Sequence, residues 1–108
     1  MSRATPTSAS RAAVTRHVRE KPWMRHVITY AEFHGWLVYH TFDSRRSGAG
    51  FPDLFMVRGN RAVAIECKAS KGRVTDDQRR WLQALGFAGV EAFAFWPDDE
   101  ARVEALLR

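Results

Sequence analysis

Cysteine is nearly absent from this chain of 108 residues, which contains Cys67 and no other. A single cysteine excludes an internal disulfide and a zinc site built on cysteines. The four histidines show no metal-ligand spacing such as His-x-x-x-His. No apolar run approaches the roughly 20 residues of a membrane-spanning helix, and the N-terminus lacks the apolar segment of a secretory signal. Since a glycine-rich phosphate loop is also missing, we expect a cytoplasmic protein that uses no nucleotide cofactor and no membrane.

Acidic residues are outnumbered, with 12 Asp and Glu against 17 Lys and Arg. Residues 1–19 hold four arginines and no acidic residue, so the rest of the chain is nearly balanced. The pI of about 10.1 therefore says little about a nucleic-acid-binding face on the folded part. We predict a basic flexible tail at residues 1–19 and one domain at residues 20–108. The tail is interpreted as an arm that contacts DNA phosphates, as a solubilising segment, or as a misassigned start.

The hydrophobic pattern predicts the order helix, strand, hairpin, helix, strand, helix. The predicted segments are a helix at 22–34, a strand at 36–42, hairpin strands at 51–58 and 61–70, a helix from 75 to 86 or 89, a strand at 90–96 and a final helix to 107. A helix between the third and fourth strands favours a parallel crossover. The predicted fold is therefore α/β, with a mixed sheet flanked by helices.

The fourth of these segments has a clear helix start. Thr75 and Gln78 have the spacing of a capping box, in which each side chain bonds to the backbone N–H of the other residue. An apolar stripe follows at helical spacing, and we predict that it is buried: Trp81, Leu82 and Leu85.

Two short apolar runs flank Gly59-Asn60, a favourable two-residue hairpin turn because both residues tolerate positive φ. If the residues on either side of this turn pair, continuing the register outward places Asp53 opposite Glu66. Side chains alternate along a strand, so Lys68 projects to the same face as Glu66. A turn of odd length would reverse this arrangement. The open end of the hairpin is thus predicted to gather two carboxylates and an ammonium.

Two neighbouring carboxylates repel one another, and the repulsion raises the pKa of one of them. A divalent cation such as Mg²⁺ or Mn²⁺ removes the conflict, because these ions prefer oxygen ligands. Such an ion also activates water and stabilises charge on a phosphoryl oxygen, with a neighbouring lysine assisting. The pattern points to metal-dependent phosphodiester hydrolysis. The alternative is that these side chains are solvated strand ends, with Glu66 and Lys68 as a surface ion pair.

Pro52-Asp53, Glu66 and Lys68 match the signature of the PD-(D/E)xK nuclease superfamily. The run from Thr41 to Leu54, which contains Asp-Ser-Arg-Arg, resembles the virus-type replication-repair nuclease (VRR-NUC) branch when it is taken with Gln78 downstream. The likeness is greatest to the small stand-alone members of phages and bacteria. It implies a restriction-endonuclease-like core of order αβββαβ plus a short C-terminal helix.

The resemblance also implies roles for individual residues. Asp53 and Glu66 would bind the metal, together with the backbone carbonyl of Cys67, and Glu20 is a weaker candidate for a supporting acid. Lys68 would assist the water. Gln78 would help to place it, although this residue has a complete local explanation as a helix cap, and both roles are compatible.

Several basic residues are candidate DNA contacts around this site. The resemblance favours that reading for Arg45 and Arg46, which are otherwise a solvated turn. The remaining candidates lie after the hairpin, where the alternative is an exposed surface: Lys71, Arg73 and Arg79. Asp43 is interpreted as a loop cap rather than a third acid, and His40 as packed or hydrogen-bonded rather than catalytic.

The predicted function is a divalent-metal-dependent DNA nuclease that acts on junction or flap DNA in replication, repair or recombination. We expect a homodimer, as in stand-alone relatives, within a bacterial or phage-infected cell. The first alternative is a catalytically silent DNA-binding module of the same fold. The second is an assembly protein of a mobile element that binds neither DNA nor metal.

Overall fold

Residues 19–41 and 48–108, which the computed structural model describes, form one four-stranded sheet with helices against it. The elements are α1 (Glu20–Phe33), β1 (Leu37–His40), β2 (Leu54–Arg58), β3 (Arg61–Cys67), α2 (Asp76–Phe87), β4 (Glu91–Phe95), a 3₁₀ turn (Pro97–Asp99) and α3 (Glu100–Leu107). The strand order is β1-β2-β3-β4, antiparallel except for the parallel β3–β4 pair. The predicted α/β class, mixed sheet and parallel crossover are confirmed. No helix in these two ranges combines the length and apolar character that crossing a membrane requires.

The hairpin has the predicted register. Arg58 pairs with Arg61, and the ladder continues without a bulge to Leu54 opposite Ile65. Of the two turn residues, only Gly59 has a positive φ, at 60°. A positive φ at the first turn residue alone is typical of a type II′ turn, whereas a type I′ turn has a positive φ at both. The twist of either turn suits a two-residue hairpin.

The tip of the hairpin is tied to the end of α3. The Arg58 guanidinium lies 4.5 Å from the Trp36 ring centre and donates to the carbonyls of His34 and Leu107 at 2.8 and 3.1 Å. Arg61 covers the same ring from 5.1 Å and pairs with both carboxylate oxygens of Glu91 at 2.7 and 2.8 Å. These donors satisfy carbonyls that a helix end leaves without partners, so the turn cannot shift without breaking them.

The main core lies between the sheet and the helices α1 and α3. The apolar side chains of β2 and β3 that point to this face are fully buried, including Met56 and Ile65. They pack against one stripe of α1 and the inner residues of α3, which are Trp23, Val27, Ala31, Val103 and Leu107. Each buried tryptophan has a partner for its indole N–H: Trp23 donates to the Phe95 carbonyl at 3.0 Å, and Trp36 to that of Leu107 at 2.8 Å.

Helix α2 packs less deeply than predicted. Its apolar stripe was expected to be buried, but Trp81, Leu82 and Leu85 are only half-buried, and no residue of the helix is fully buried. The reason is what faces it: the sheet presents small side chains such as Ala64 and Ala92 on this side, and a loop covers the rest. Trp81 donates its indole N–H to the carbonyl of Ala49 in that loop at 3.1 Å.

The loop that leads to β2 is fastened to the start of α2 at Gly50. This residue has φ of +86°, and a Cβ added there would lie 2.5 Å from the backbone carbon of Asp77. Only glycine allows both the left-handed backbone and this close approach. The contact sets the path of the chain into Pro52-Asp53, which directly precede the first strand pair of the hairpin.

Replacing Gly50 with alanine is expected to destabilise the protein more than replacing Gly89, because Gly89 has a similar φ of +97° but open space around it. Backbone strain alone costs on the order of 1 kcal/mol, which is the expected loss for Gly89→Ala. The clash with Asp77 adds about 1–3 kcal/mol for Gly50→Ala. Urea denaturation of the two variants measures the difference. An equal loss of unfolding free energy in the two variants would show that the loop at Gly50 moves away from Asp77 at no energetic cost.

Candidate active site

The open end of the hairpin brings together the predicted acidic residues. The ladder ends at Leu54 opposite Ile65, so Asp53 lies just outside the paired region. Its Oδ2 atom accepts a hydrogen bond from the backbone N–H of Cys67 at 2.9 Å. This bond holds the Asp53 carboxylate against the end of β3, beside Glu66, as the register predicted.

Glu66 and Lys68 are buried, which is unusual for charged residues. Only 4% of Glu66 and 8% of Lys68 are exposed. The Lys68 ammonium lies 3.5 Å from Glu66 Oε2. The alternative of a solvated surface ion pair is therefore wrong, and the pair lies in a setting where interactions between charges are strong.

Gln78 connects the start of α2 to this pair. Its backbone N–H donates to Thr75 Oγ1 at 3.1 Å, and its side-chain Oε1 accepts from the Thr75 N–H at 2.9 Å, so the capping box is confirmed. Its Nε2 donates to Glu66 Oε2 at 3.0 Å. Because the cap occupies the amide oxygen, the amide nitrogen is turned toward Glu66. The cap and the contact with the acidic pair coexist in one side chain.

The carboxylates carry an electrostatic cost. Burial, and then the charge of Asp53, raises the pKa of Glu66 to about 7, against the opposing effect of Lys68. Burial also raises the pKa of Asp53, although the bond from Cys67 and a hydrogen bond to Glu66 lower it. When both carboxylates are ionised, Asp53 and Glu66 carry two negative charges, and Lys68 supplies one positive charge against them.

Glu20, the weaker candidate, is also part of this electrostatic group. It is the first residue of α1, where Pro22 does not displace it, and burial followed by the charge of Asp53 raises its pKa. Glu20 itself is exposed, so its link to the pair is electrostatic rather than a shared contact. Asp53 and Glu66 offer hard oxygen donors, the kind of ligand that suits a divalent cation such as Mg²⁺ or Mn²⁺.

Cys67 contributes to this region through its backbone. Its side chain belongs to the core on the opposite face of β3, and burial raises the pKa of its thiol. The predicted reading as a small buried hydrophobe is confirmed. The proposed use of its carbonyl as a metal ligand stays a prediction.

The predicted DNA contacts are only partly described by the structure. Lys71 and Arg73 are exposed, and Arg79 is exposed while pairing with Asp76 at 3.1 Å. Arg73 and Arg79 line one cleft of about 370 Å³ together with Trp96. Arg45, Arg46 and Asp43 lie outside the described residues, as does nearly all of the predicted tail.

Sequence reasoning missed a second cleft, which Asp53 itself lines. It has a volume of about 450 Å³, and Lys21, Arg25 and His40 are among its lining residues. His40 is exposed, so of its two predicted roles the packed one is wrong. Its charge lowers the pKa of Asp53, which places it near the acids. The helix had been predicted to start at residue 22. A start at Glu20 puts Lys21 and Arg25 one turn apart, and that spacing is the signal that was overlooked.

The structure also groups His26 with two acids of α3, which sequence spacing did not show. Its Nε2 lies 3.2 Å from Glu100 Oε2 and 3.9 Å from Glu104 Oε2. Their possible ligand atoms lie within 4.8 Å of one another. His26 is exposed, and these contacts are explained as ion pairs that link α1 to α3.

The raised pKa of Glu66 has a measurable consequence for stability in the absence of metal. A carboxyl whose folded pKa exceeds its unfolded value binds protons more tightly in the folded state, so stability falls as pH rises from about 4.5 to about 7. Glu66→Gln is expected to raise Tm at pH 8 by on the order of 5 °C and to flatten this dependence. Thermal unfolding in EDTA from pH 5 to pH 8 measures both.

Glu91→Gln is the matched control on the same sheet, because the pKa of Glu91 is lowered by its hydrogen bond to Arg61. Its contribution is present above the unfolded pKa and is lost as pH falls through the lower folded value. This variant is expected to lower Tm at pH 8. If Glu66→Gln also lowered Tm at pH 8, the prediction would be wrong. The contacts of the Glu66 carboxylate with Lys68 and Gln78 would then stabilise its charged form without a metal ion.

The comparisons with known proteins agree with this geometry. The family model described as the VRR-NUC domain matches residues 11–95, a span that contains Asp53, Glu66, Lys68 and Gln78. No curated protein and no solved structure matches the chain. The match implies a nuclease-type, DNA-processing function, with the fold consistent with a restriction-endonuclease-like core. By most of its length and by its α/β architecture, the chain belongs to the VRR-NUC family.

Proposed function

We propose that this protein is a divalent-metal-dependent DNA nuclease that hydrolyses phosphodiester bonds, with a preference for junction or flap DNA in replication, repair or recombination. One observation carries the proposal. The buried Glu66 carboxylate lies beside Asp53, and its Oε2 atom both accepts a hydrogen bond from Gln78 and pairs with the Lys68 ammonium. A chain stabilises a buried pair of acids only with difficulty, and a bound cation would offset the repulsion.

Asp53 and Glu66 would hold a Mg²⁺ or Mn²⁺ ion, with the Cys67 carbonyl and, more weakly, Glu20 supporting it. When bound, such an ion supplies Lewis-acid stabilisation of phosphoryl oxygens and lowers the pKa of water. Hydrolysis adds water to the phosphorus and breaks the bond to the leaving oxygen, which takes up a proton.

The chain's own residues prepare this reaction. Lys68 is held by Glu66 at the edge of the site, where its ammonium stabilises negative charge that develops on the phosphoryl group. Gln78 fixes the rotamer of Glu66 through the hydrogen bond to Oε2, so the carboxylate keeps one orientation when DNA arrives.

Basic residues around the site supply contacts to phosphates. Lys71 and Arg73 lie between the hairpin and α2, Arg79 lies in the first turn of α2, and all three are exposed. Arg45 and Arg46 are proposed contacts on the strength of the sequence alone. Such contacts set affinity and its salt dependence rather than base preference.

A homodimer in the cytoplasm of a bacterial or phage-infected cell remains part of the proposal. On the α2 side of the sheet, the end formed by β1 and β2 carries exposed apolar side chains, with Leu37 74% and Tyr39 63% exposed. Leu37 pairs with Val57, which is also exposed, so these side chains share one face. A second copy of the chain is the partner that this face would suit.

The rival is a DNA-binding module that does not turn over. All the acidic and lysine positions of the signature are present, with Glu66 and Lys68 buried and Asp53 half-buried beside them, which favours the nuclease. A module that only bound DNA would have no use for buried acids that repel phosphate.

The decisive test is cleavage of labelled single-stranded, duplex, flap and four-way-junction DNA with Mn²⁺, Mg²⁺ or EDTA. We expect metal-dependent cutting that is fastest on a branched substrate. Asp53→Asn keeps an acceptor for the Cys67 N–H but removes the charge, and it is expected to lower the rate on the order of 10³-fold, equivalent to several kcal/mol of lost stabilisation.

Glu32→Gln is the control for this substitution. It removes a carboxylate from an exposed position of α1, and the cleavage rate is expected to stay unchanged. DNA binding by the wild type without cutting on any substrate would reject the nuclease and favour the binding module. Cutting that persists in Asp53→Asn would move the site elsewhere.

The two roles of Gln78 are separable by comparison with Thr75. Gln78→Ala and Thr75→Ala each remove half of the capping box, so each is expected to cost about 1 kcal/mol of stability. Only Gln78→Ala removes the donor to Glu66, and it alone is expected to lower kcat by about 10- to 100-fold. Equal activity in the two variants, measured well below their Tm, would reduce Gln78 to a helix cap.

A further inference from the structure

The cleft beside Asp53 contains more apolar surface than phosphate chemistry requires. Met24 and Ile28 lie one turn apart on α1, and both are half-buried at its wall. Phe51, also half-buried, lines the same cleft just before Asp53. Met24 and Ile28 pack against the main core with one part of their surface and leave the other part facing the cleft. Phosphodiester hydrolysis calls for oxygen ligands and cations, so this apolar lining is available for a different part of a substrate.

The position of Phe51 is fixed by aromatic neighbours. Its ring lies 5.0 Å from the Trp81 ring, edge to face, and 6.3 Å from the Phe55 ring. A ring held from two sides loses little further freedom when a ligand packs against it, which favours binding. The cleft therefore has one rigid aromatic wall and one aliphatic wall.

The rest of the lining is polar and carries both signs of charge, with Glu20 and Asp53 as the acids and Lys21 and Arg25 as the cations. Lys21 and Arg25 are exposed on the turn of α1 that also carries Met24, and both line the cleft with Asp53. The volume of about 450 Å³ falls in the range of roughly 300–1,000 Å³ that is usual for small-ligand sites. Apolar walls with positive charge at the rim fit a nucleotide, whose base is flat and whose phosphate is anionic.

We propose that this cleft binds one unstacked nucleotide of the DNA, with its base against Met24, Ile28 and Phe51 and its phosphate near Lys21 and Arg25. Asp53 belongs both to the cleft and to the acidic pair. The inference rests on the proposed function in one respect only, which is that the phosphate to be cut lies at Asp53. A base inside a stacked duplex cannot enter such a cleft. The preferred substrate is therefore DNA with an unpaired nucleotide next to the cut.

Methyl NMR tests the cleft directly. The methionine and isoleucine methyl groups are labelled in the full chain, and three probes are added in Ca²⁺ without Mg²⁺ or Mn²⁺. The probes are a duplex with a one-nucleotide flap, the same flap with an abasic nucleotide, and the fully paired duplex. Met24 and Ile28 signals are expected to shift with the base-bearing flap alone.

Met56 and Ile65 provide the internal control, because both are fully buried in the main core. Their signals are expected to stay in place with all three probes. Equal shifts of Met24 and Ile28 with the abasic flap, or no shift with any probe, would overturn the proposal. Shifts that extend to Met56 and Ile65 would also overturn it, since they would report a general rearrangement.

Variants separate the base from the phosphate. Removing the base from the flap is expected to weaken binding by about tenfold in the wild type and to have little effect in Ile28→Ala. Lys21→Gln is expected to weaken binding of base-bearing and abasic flaps alike and to reduce the salt dependence by about one phosphate contact, whereas Arg102→Gln on α3 changes neither. An unchanged base effect in Ile28→Ala would remove this residue from the cleft's function.

The binding measurement does not depend on cleavage. If the chain cuts no DNA but the methyl shifts follow the base, the cleft stands and the nuclease proposal fails. If the chain cuts DNA but the shifts ignore the base, the nuclease stands and the nucleotide cleft fails.

Discussion

The register of the β2–β3 hairpin is the constraint on which the candidate site depends. Because side chains alternate along a strand, a slip of one residue would send Glu66 into the main core and bring Cys67 to the acidic face. Two devices prevent it. The two-residue turn at Gly59 fixes the pairing locally, and Arg58 and Arg61 anchor the tip to Trp36 and to the last carbonyls of α3. The far end of the hairpin thus secures the chemistry at its open end.

The acidic pair opposes the stability that the core provides. Burial disfavours the charged form of both carboxylates, and their proximity adds to the cost. The chain limits the effect with Lys68 and with donors from Gln78 and the Cys67 backbone. Gln78 links two parts of the structure, since the same amide group closes a helix start and donates a hydrogen bond to the Glu66 carboxylate.

Much of this arrangement could be predicted from the sequence because it rests on local rules. An even turn fixes the register, alternation places Lys68 on the face of Glu66, and the Thr75–Gln78 spacing sets the helix start; the structure has all three. The burial of α2 was predicted wrongly, because periodicity reports which face is apolar and not what covers it. The cleft with Lys21 and Arg25 was missed for a similar reason. The spacing of Lys21 and Arg25 was a local signal of one basic helix face, but the cleft forms where α1 meets the loop before β2, and local spacing does not show that long-range contact.

Cys67 illustrates a division of labour within one residue. Its N–H faces the acids, whereas its thiol lies in the core and stays protonated because burial raises its pKa. On β3, the carboxylate of Glu66 and the thiol of Cys67 therefore lie on opposite faces. A thiophilic ion such as Cd²⁺ or Cu⁺ held by the acids would gain no thiolate from this strand. In this way the alternation of a single β-strand keeps its soft ligand apart from its hard one.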